Sequence, residues 1–230
     1  AHKTVILSGL AYGKMPNIKD LSIKGIRNIT LTDITNCDQL GFKIKLLGNS
    51  QLLKNRDGID ELFCSVEPWL IPKDYGLASV SGVTNAVQVK SNLAGSVMIT
   101  GPGAGGEPTA SAVLADIIDC ANKTNLYPFG RTSSEIENNF NTSTYKEKFK
   151  FYLRLNVVDK SGVLSDLTSI FKLYNLSIES FIQKANQRDK TADLIIITHE
   201  ADNNILNQAL IEIQDLDGVI NEPVCLSIYS

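Results

Sequence analysis

The sequence predicts an α+β protein built from two units. Three observations carry this. Over residues 148–230 the pattern runs strand, helix, strand, strand, helix, strand, a βαββαβ order of the ferredoxin-like, split-βαβ kind. Over residues 1–126, period-two segments joined by short turns alternate with at least two helices, which predicts a mixed, mostly antiparallel sheet. Between them, residues 127–147 are polar and lack a periodic apolar face, and read as a linker.

Taken in order, residues 2–12 are helix-compatible and closed by Gly13, with no capping residue ahead of them. With no initiator Met either, the start reads as a cut inside or just before a helix of a longer polypeptide. Asp33 is placed to cap a short helix through Leu40, which Gly41 ends. Phe42-Lys43-Ile44-Lys45-Leu46 alternates, Asn55-Arg56-Asp57-Gly58 turns, and Ile59–Val66 returns, so a hairpin is expected. Pro68 and Pro72 are expected to interrupt the chain there. Val83–Val89 and Ala94–Thr100 make two more strands, joined near Ser91-Asn92. Residues 101–106, Gly-Pro-Gly-Ala-Gly-Gly, then lead into a helix expected from Pro108 to about Asn122, with Thr109 and Ser111 as candidate caps. A short helix is expected around Ser134–Asn139.

In the second unit, Phe149–Val157 is the first strand and Asp159-Lys160-Ser161-Gly162 a turn. Val163–Tyr174 is amphipathic, with Val163, Leu164, Leu167, Ile170, Phe171 and Leu173 expected on or near one face. Strands follow at Ile178–Gln183 and Asp193–His199. A second helix at Ala201–Leu216, a turn at Asp217-Gly218 and a strand at Pro223–Tyr229 complete the unit.

Composition bounds the function. Charged residues make 20% of the chain, hydrophobic ones 43%, and the net charge is −3. No basic tract is present, so nucleic-acid binding has no electrostatic footprint. No apolar run approaches the ~20 residues of a membrane helix. Cys37, Cys64, Cys120 and Cys225 are scattered without a C-x-x-C pair, which favours free thiols in a reducing cytoplasm over zinc. His2 and His199 sit in no metal or triad pattern, and Asp116 and Asp119 read as a solvated or capping pair.

The glycine stretch is the most informative local pattern. A strand, a glycine loop and a helix N-terminus present free N–H groups and partial positive charge, which suits a phosphate or carboxylate. A plain strand-to-helix turn explains the same residues equally well. The stretch is neither G-x-G-x-x-G nor a P-loop.

Residues 148–230 resemble an ACT domain, an amino-acid-binding regulatory module. The marks are Leu153-x-Leu155-x-Val157-x-Asp159-Lys160-x-Gly162-Val163-Leu164 and Ile178-Glu179-Ser180-Phe181-Ile182-Gln183. Residues 1–122 resemble the C-terminal part of the catalytic domain of homoserine dehydrogenase. The marks are Ala1-His2-Lys3, Gly41–Leu47, Leu77–Val87 and Gly101–Val113. The resemblance implies NAD(P)H-dependent reduction of aspartate semialdehyde to homoserine by the intact enzyme, within threonine and methionine biosynthesis. It also implies that the dinucleotide-binding domain, the sodium site and most substrate contacts lie before residue 1. This chain alone is therefore expected to be inactive and to bind no NAD(P) and no metal.

The resemblance further implies roles for residues. Lys3 matches the catalytic proton donor, whose partner aspartate would precede residue 1. Gly103 matches the loop that approaches the dinucleotide. Asp159, Lys160, Ser161, Gly162, Val163 and Leu164, with Ser177, Ile178 and Gln183 on a facing strand, match an amino-acid effector site, for which the family suggests threonine. A homodimer or higher oligomer is implied. The chain departs from the family at Lys73-Asp74-Tyr75-Gly76, where many relatives have a histidine–proline pair, and at Lys24, where glutamate is frequent. The rival reading is a stand-alone amino-acid-sensing or oligomerisation module.

Overall fold

The computed structural model describes residues 1–54, 57–122, 127, 129–137, 148–186 and 188–229. Helix α1 (His2–Tyr12) begins at Ala1 with no side-chain cap and ends on left-handed Gly13 (φ 68°). Strand β1 (Ser22–Ile23) is short. Helix α2 (Leu31–Gln39) starts earlier than expected. Its cap is Thr30, not Asp33. Asp33 occupies the third helical position and completes a capping box, accepting the Thr30 N–H at 2.9 Å.

Strands β2 (Phe42–Lys54) and β3 (Asp60–Pro72) pair antiparallel along their whole lengths, from Phe42 opposite Pro72 to Lys54 opposite Asp60. The prolines do not interrupt β3. Pro72 is its last residue. On the edge away from β2, Pro68 falls between the residues that pair β1 (Ser65, Val66) and those that pair the chain's last strand (Trp69, Leu70). A missing N–H is tolerated where a ladder has a gap or an end. A single turn, α3 (Gly76–Ser79), leads to the hairpin of β4 (Thr84–Ser91) and β5 (Gly95–Pro102). Helix α4 (Gly106–Ala121) follows. It starts two residues before Pro108. Thr109 does not cap it; its hydroxyl donates to the Gly105 carbonyl at 2.7 Å.

Most of the segment read as a linker, 138–147 included, lies outside the described residues. What is described packs on α1. Phe129 lies against Gly9, and Glu137 exchanges backbone hydrogen bonds with Gly13 and Met15. Of the helix expected around Ser134–Asn139, residues 138 and 139 lie outside the described residues, and the described part forms one 3-10 turn, Ser133–Glu135.

From residue 148 the chain makes β6 (Lys148–Phe149), β7 (Phe151–Val158), α5 (Val163–Leu173), β8 (Ile178–Asn186), β9 (Thr191–Thr198), β10 (Ala201–Asp202), α6 (Asn203–Gln214) and β11 (Val224–Ile228). β6 and β10 pair as a two-residue bridge. The other four strands lie in the order β11-β7-β9-β8, as expected for βαββαβ.

The sequence reading had no sign of how the halves join. β11 pairs antiparallel with β7 and, on its other edge, parallel with β3 through Ser227 opposite Trp69 and Ile228 opposite Leu70. One seven-stranded sheet therefore runs through both halves. Its faces are both covered. On one, Phe151, Leu153, Leu155 and Ile196 pack with Val163, Leu167 and Phe171 of α5, Leu206 and Ile213 of α6, and Trp69 and Ile71 of β3. On the other, Tyr152, Ile195, Ile197, Leu226 and Ile228 pack with Cys37 of α2 and Leu70. Successive residues of β7 thus enter opposite cores.

Candidate functional site

Lys3 lies in the first turn of α1 and is exposed. The helix is seated on β2 and β3 by its other face. There Ser8 Oγ lies 2.7 Å from Ser50 Oγ and 3.3 Å from Cys64 Sγ, and Tyr12 OH donates to the Ser50 carbonyl at 3.0 Å. Thr4 packs onto Gly48, where an added Cβ would overlap its Oγ1. Ile6, Leu7 and Leu10 on the remaining face are exposed. Lys3 therefore stands on a helix seated on β2 and β3, with Phe129 against Gly9 and the Ile6, Leu7 and Leu10 face open.

The glycine loop ends β5 and opens α4. Gly103 donates its N–H to the Val83 carbonyl at 2.7 Å, and an added Cβ would overlap the Asn85 side chain. Gly105 has φ 128° at the head of α4, a backbone that L side chains avoid. The loop is exposed, and by helix geometry the N–H groups of Gly106 and Glu107 have no intrahelical acceptor. The helix end leaves N–H donors open to the solvent side for an anionic or polar group, while at Gly103 the space of the missing Cβ is taken by the Asn85 side chain. The Gly103 N–H itself is already used, and the Glu107 carboxylate in the first turn opposes a phosphate placed directly on the axis.

Around this loop the surface is apolar. Val89, Val97 and Ile99 on the hairpin are exposed, and so are Val113, Leu114, Ile117 and Ile118 on α4. Helix α4 has no buried residue. The hairpin is tied to the body by Lys90, whose Nζ lies 4.9 Å from the Tyr229 ring centre and 5.9 Å from that of Tyr75.

The second expected site lies between β7 and α5. Gly162 heads α5 with φ 100°. The N–H of Asp159 reaches the Lys190 carbonyl at 2.9 Å, and Gln183 Nε2 lies 3.5 Å from Asp159 Oδ1. Val163 is buried while Leu164 is half exposed. Lys160 and Ser161 are exposed on the turn. One chain thus brings together Asp159–Leu164 and Gln183. It does not bring Ser177 and Ile178. These sit at the opposite end of β8, with Ile178 across from Thr198 while Gln183 faces Leu194. Ile178 and Gln183 are five residue steps apart along the strand, about 17 Å.

Sequence reasoning missed a third constellation. Asp33, fully buried, accepts from Arg154 Nε at 2.5 Å and Nη2 at 3.0 Å. It also accepts from Tyr152 OH at 3.2 Å and from the Thr30 N–H and hydroxyl. Burial by itself raises the Asp33 carboxyl, but the hydrogen bonds from Arg154 and Thr30 and the guanidinium charge hold it below the usual carboxylate range. Burial, with Asp33 nearby, pushes the Cys37 thiol up to about 12. Beside this pair, Lys184 of β8 donates to Asn36 Oδ1 at 2.7 Å and Gln39 Oε1 at 3.0 Å. The available signal was an arginine inside the strand FYLRLNVV, which needs a buried anion only when both faces of that strand are covered.

His199 is exposed, 3.9 Å from Glu179. No group of three or more His, Cys, Asp or Glu could hold a metal among the described residues.

A homoserine dehydrogenase family model matches residues 1–118, and an ACT domain model matches residues 151–218. The homoserine dehydrogenase of Neisseria gonorrhoeae is 34% identical over 224 residues, covering 95% of this chain and 50% of that protein. The Corynebacterium glutamicum enzyme is 35% identical over 87% of this chain and 45% of its own length. A crystal structure of homoserine dehydrogenase from Thiobacillus denitrificans superposes with TM-score 0.82 at 31% identity, over 100% of this chain and 52% of that one. The chain thus spans about half the length of the curated relatives it matches. With its first half matched by the dehydrogenase model and its second by the ACT model, the chain belongs to the homoserine dehydrogenase family.

Proposed function

We propose that this chain is the substrate-domain and ACT portion of an enzyme that reduces L-aspartate 4-semialdehyde to L-homoserine. The observation that carries this is the family match over residues 1–118, which includes both Lys3 and the glycine loop. The division is 1–126 for the truncated substrate and dimerisation domain, 127–147 for the linker and 148–230 for the ACT domain. NAD(P)H supplies the hydride when bound. Lys3, an ammonium on an exposed helical turn, gives its proton to the carbonyl oxygen as charge develops there. Gly103, in the exposed loop at the end of β5, lies on the side from which the nucleotide approaches. The exposed apolar face of the hairpin and α4 is the ground for a dinucleotide-binding domain and a second subunit on that side.

The ACT half takes an amino-acid effector, threonine, at Asp159–Leu164. Strand β8 is the outermost strand of the sheet, with Phe181 and Ile182 partly exposed. Antiparallel pairing of two β8 edges extends the sheet and carries the Ser177 and Ile178 of a second copy toward the first copy's Asp159 turn. This supports a dimer in which each effector site is completed by the other chain. The free thiols and the absence, among the described residues, of a helix able to span a membrane support a cytoplasmic location.

One chimera tests the catalytic reading. This chain is joined to the missing half of the Neisseria gonorrhoeae relative, and NADP-dependent homoserine oxidation is assayed. Turnover that falls by about 10²-fold or more in Lys3→Ala supports the proton-donor role; undiminished turnover refutes it. Titration calorimetry of the present chain with threonine tests the effector site. Threonine binding with an inactive chimera would favour the stand-alone sensor.

A further inference from the structure

The buried Asp33–Arg154 pair lies far from both expected sites yet touches elements that lead to each. Arg154 is on β7, whose end at Val158 continues directly into the Asp159 turn. Lys184, the second cation on α2, is on β8 next to Gln183. Both strands that flank the effector site therefore hold α2. Leu40 and left-handed Gly41 (φ 88°) then connect α2 to β2. Further along β2, Gly48 and Ser50 seat Thr4, Ser8 and Tyr12 of α1. The far face of α1 carries exposed Ile6, Leu7 and Leu10, so β2 and β3 are its main support.

We propose that α2 is a brace through which the ACT half holds the Lys3 helix in place, with Arg154 and Asp33 as positioning residues at the joint. The five donor groups on Asp33 satisfy a carboxylate with no exposed surface, so the joint has one low-energy arrangement and no graded alternatives. A change at the Asp159 turn that shifts β7 must either carry α2 with it or expose a buried charge. A joint that either moves as a unit or breaks links the two elements it holds, which is what coupling between sites requires. The significance for Lys3 rests on the catalytic reading above; the brace itself does not.

Hydrogen exchange read by mass spectrometry on the full chain, with no ligand, tests this. Arg154→Leu is compared with wild type and with Lys150→Gln, which breaks the exposed Lys150–Glu179 pair on the same half. Exchange at the α1 amides of residues 5–12 is expected to rise at least 10-fold in Arg154→Leu and to stay unchanged in Lys150→Gln, while α5 and α6 keep their protection. Unchanged exchange in α1 overturns the proposal. Should Arg154→Leu lose protection throughout, Arg154→Lys decides. It keeps the charge and loses the bidentate geometry, so selective loss in α1 supports the brace and wild-type exchange refutes it. The chimera assay fails or succeeds independently of these amides.

Discussion

Gly218→Ala is the substitution whose effect follows most directly from atomic distances. Gly218 is buried, and a Cβ built on it falls 2.6 Å from Val163 Cγ2 and 3.0 Å from Cγ1. Ordinary contact begins near 3.4 Å. Neither side can retreat freely. The Gly218 carbonyl accepts the Val158 N–H at 2.8 Å, and Val219 bridges Val157, so the backbone is pinned to β7. Val163 is 6% exposed and is the first residue of α5, immediately after Gly162. Overpacking of this kind costs roughly 1–3 kcal/mol, or about 2–4 °C in Tm per kcal/mol for a chain of this size. Val163→Ala removes the two offending methyl groups and alone costs roughly 1.5–3 kcal/mol in lost burial and cavity. The double variant should cost less than the sum of the singles by at least about 1 kcal/mol, since the added methyl occupies the space vacated. Urea unfolding measures all three. Because the displaced residue begins α5, the helix of the proposed effector site, Gly218→Ala should also weaken any threonine binding that calorimetry detects under that proposal. A neutral Gly218→Ala, or strictly additive costs, would refute the reasoning.

Three further outcomes are expected. Asp33 is held below its unfolded pKa, so its contribution to stability is complete above about pH 4 and is lost as pH falls through the lower folded value. Asp33→Asn should therefore flatten stability between about pH 5 and pH 2 in urea titrations while costing about 3 kcal/mol at pH 7, where Arg154 is left with an unmatched charge; an unchanged acid limb would contradict this. Gly48→Ala drives a methyl into Thr4 Oγ1, and limited proteolysis should show cleavage within α1 rising several-fold while the second half stays intact. Among the four thiols, Cys120 is exposed, Cys37 and Cys64 are buried, and burial pushes both Cys37 and Cys225 up to about 12. A thiol-reactive disulfide at pH 8 should label Cys120 first, mapped by peptide mass; equal labelling of Cys37 would mean that α2 leaves the sheet readily.

What was legible in the sequence is what neighbouring residues determine. The ladder β4–β5, the helix after the glycine loop and the whole βαββαβ order each have a local period, and each appears within a few residues of its expected place. Boundaries failed where a cap was misassigned. Asp33 reads as an N-cap because aspartate prefers that position, but Thr30 three residues earlier takes it and leaves Asp33 free to serve Arg154. Pro68 reads as a strand breaker because the edge it occupies was unknown. The joining of β3 to β11 has no local signature at all. Two residue pairs far apart in sequence fix it, and nothing in their spacing announces a parallel neighbour.

The strand β7 shows why the candidate coupling went unread. Phe151, Leu153, Leu155 and Val157 form an apolar set, and the intervening Tyr152, Arg154 and Asn156 look like a solvated face. A strand with that alternation is ordinarily covered on one side only. Here both sides are covered, because α2 brings a carboxylate that converts a polar stripe into a buried one. The cost of burying Arg154 is met only if Asp33 arrives in the correct register. Hydrophobic contacts alone would let α2 slide along the sheet; the bidentate pair does not. The polar stripe therefore specifies where the first half docks on the second, and that specificity is what a signal passing from the Asp159 turn to Lys3 would have to use.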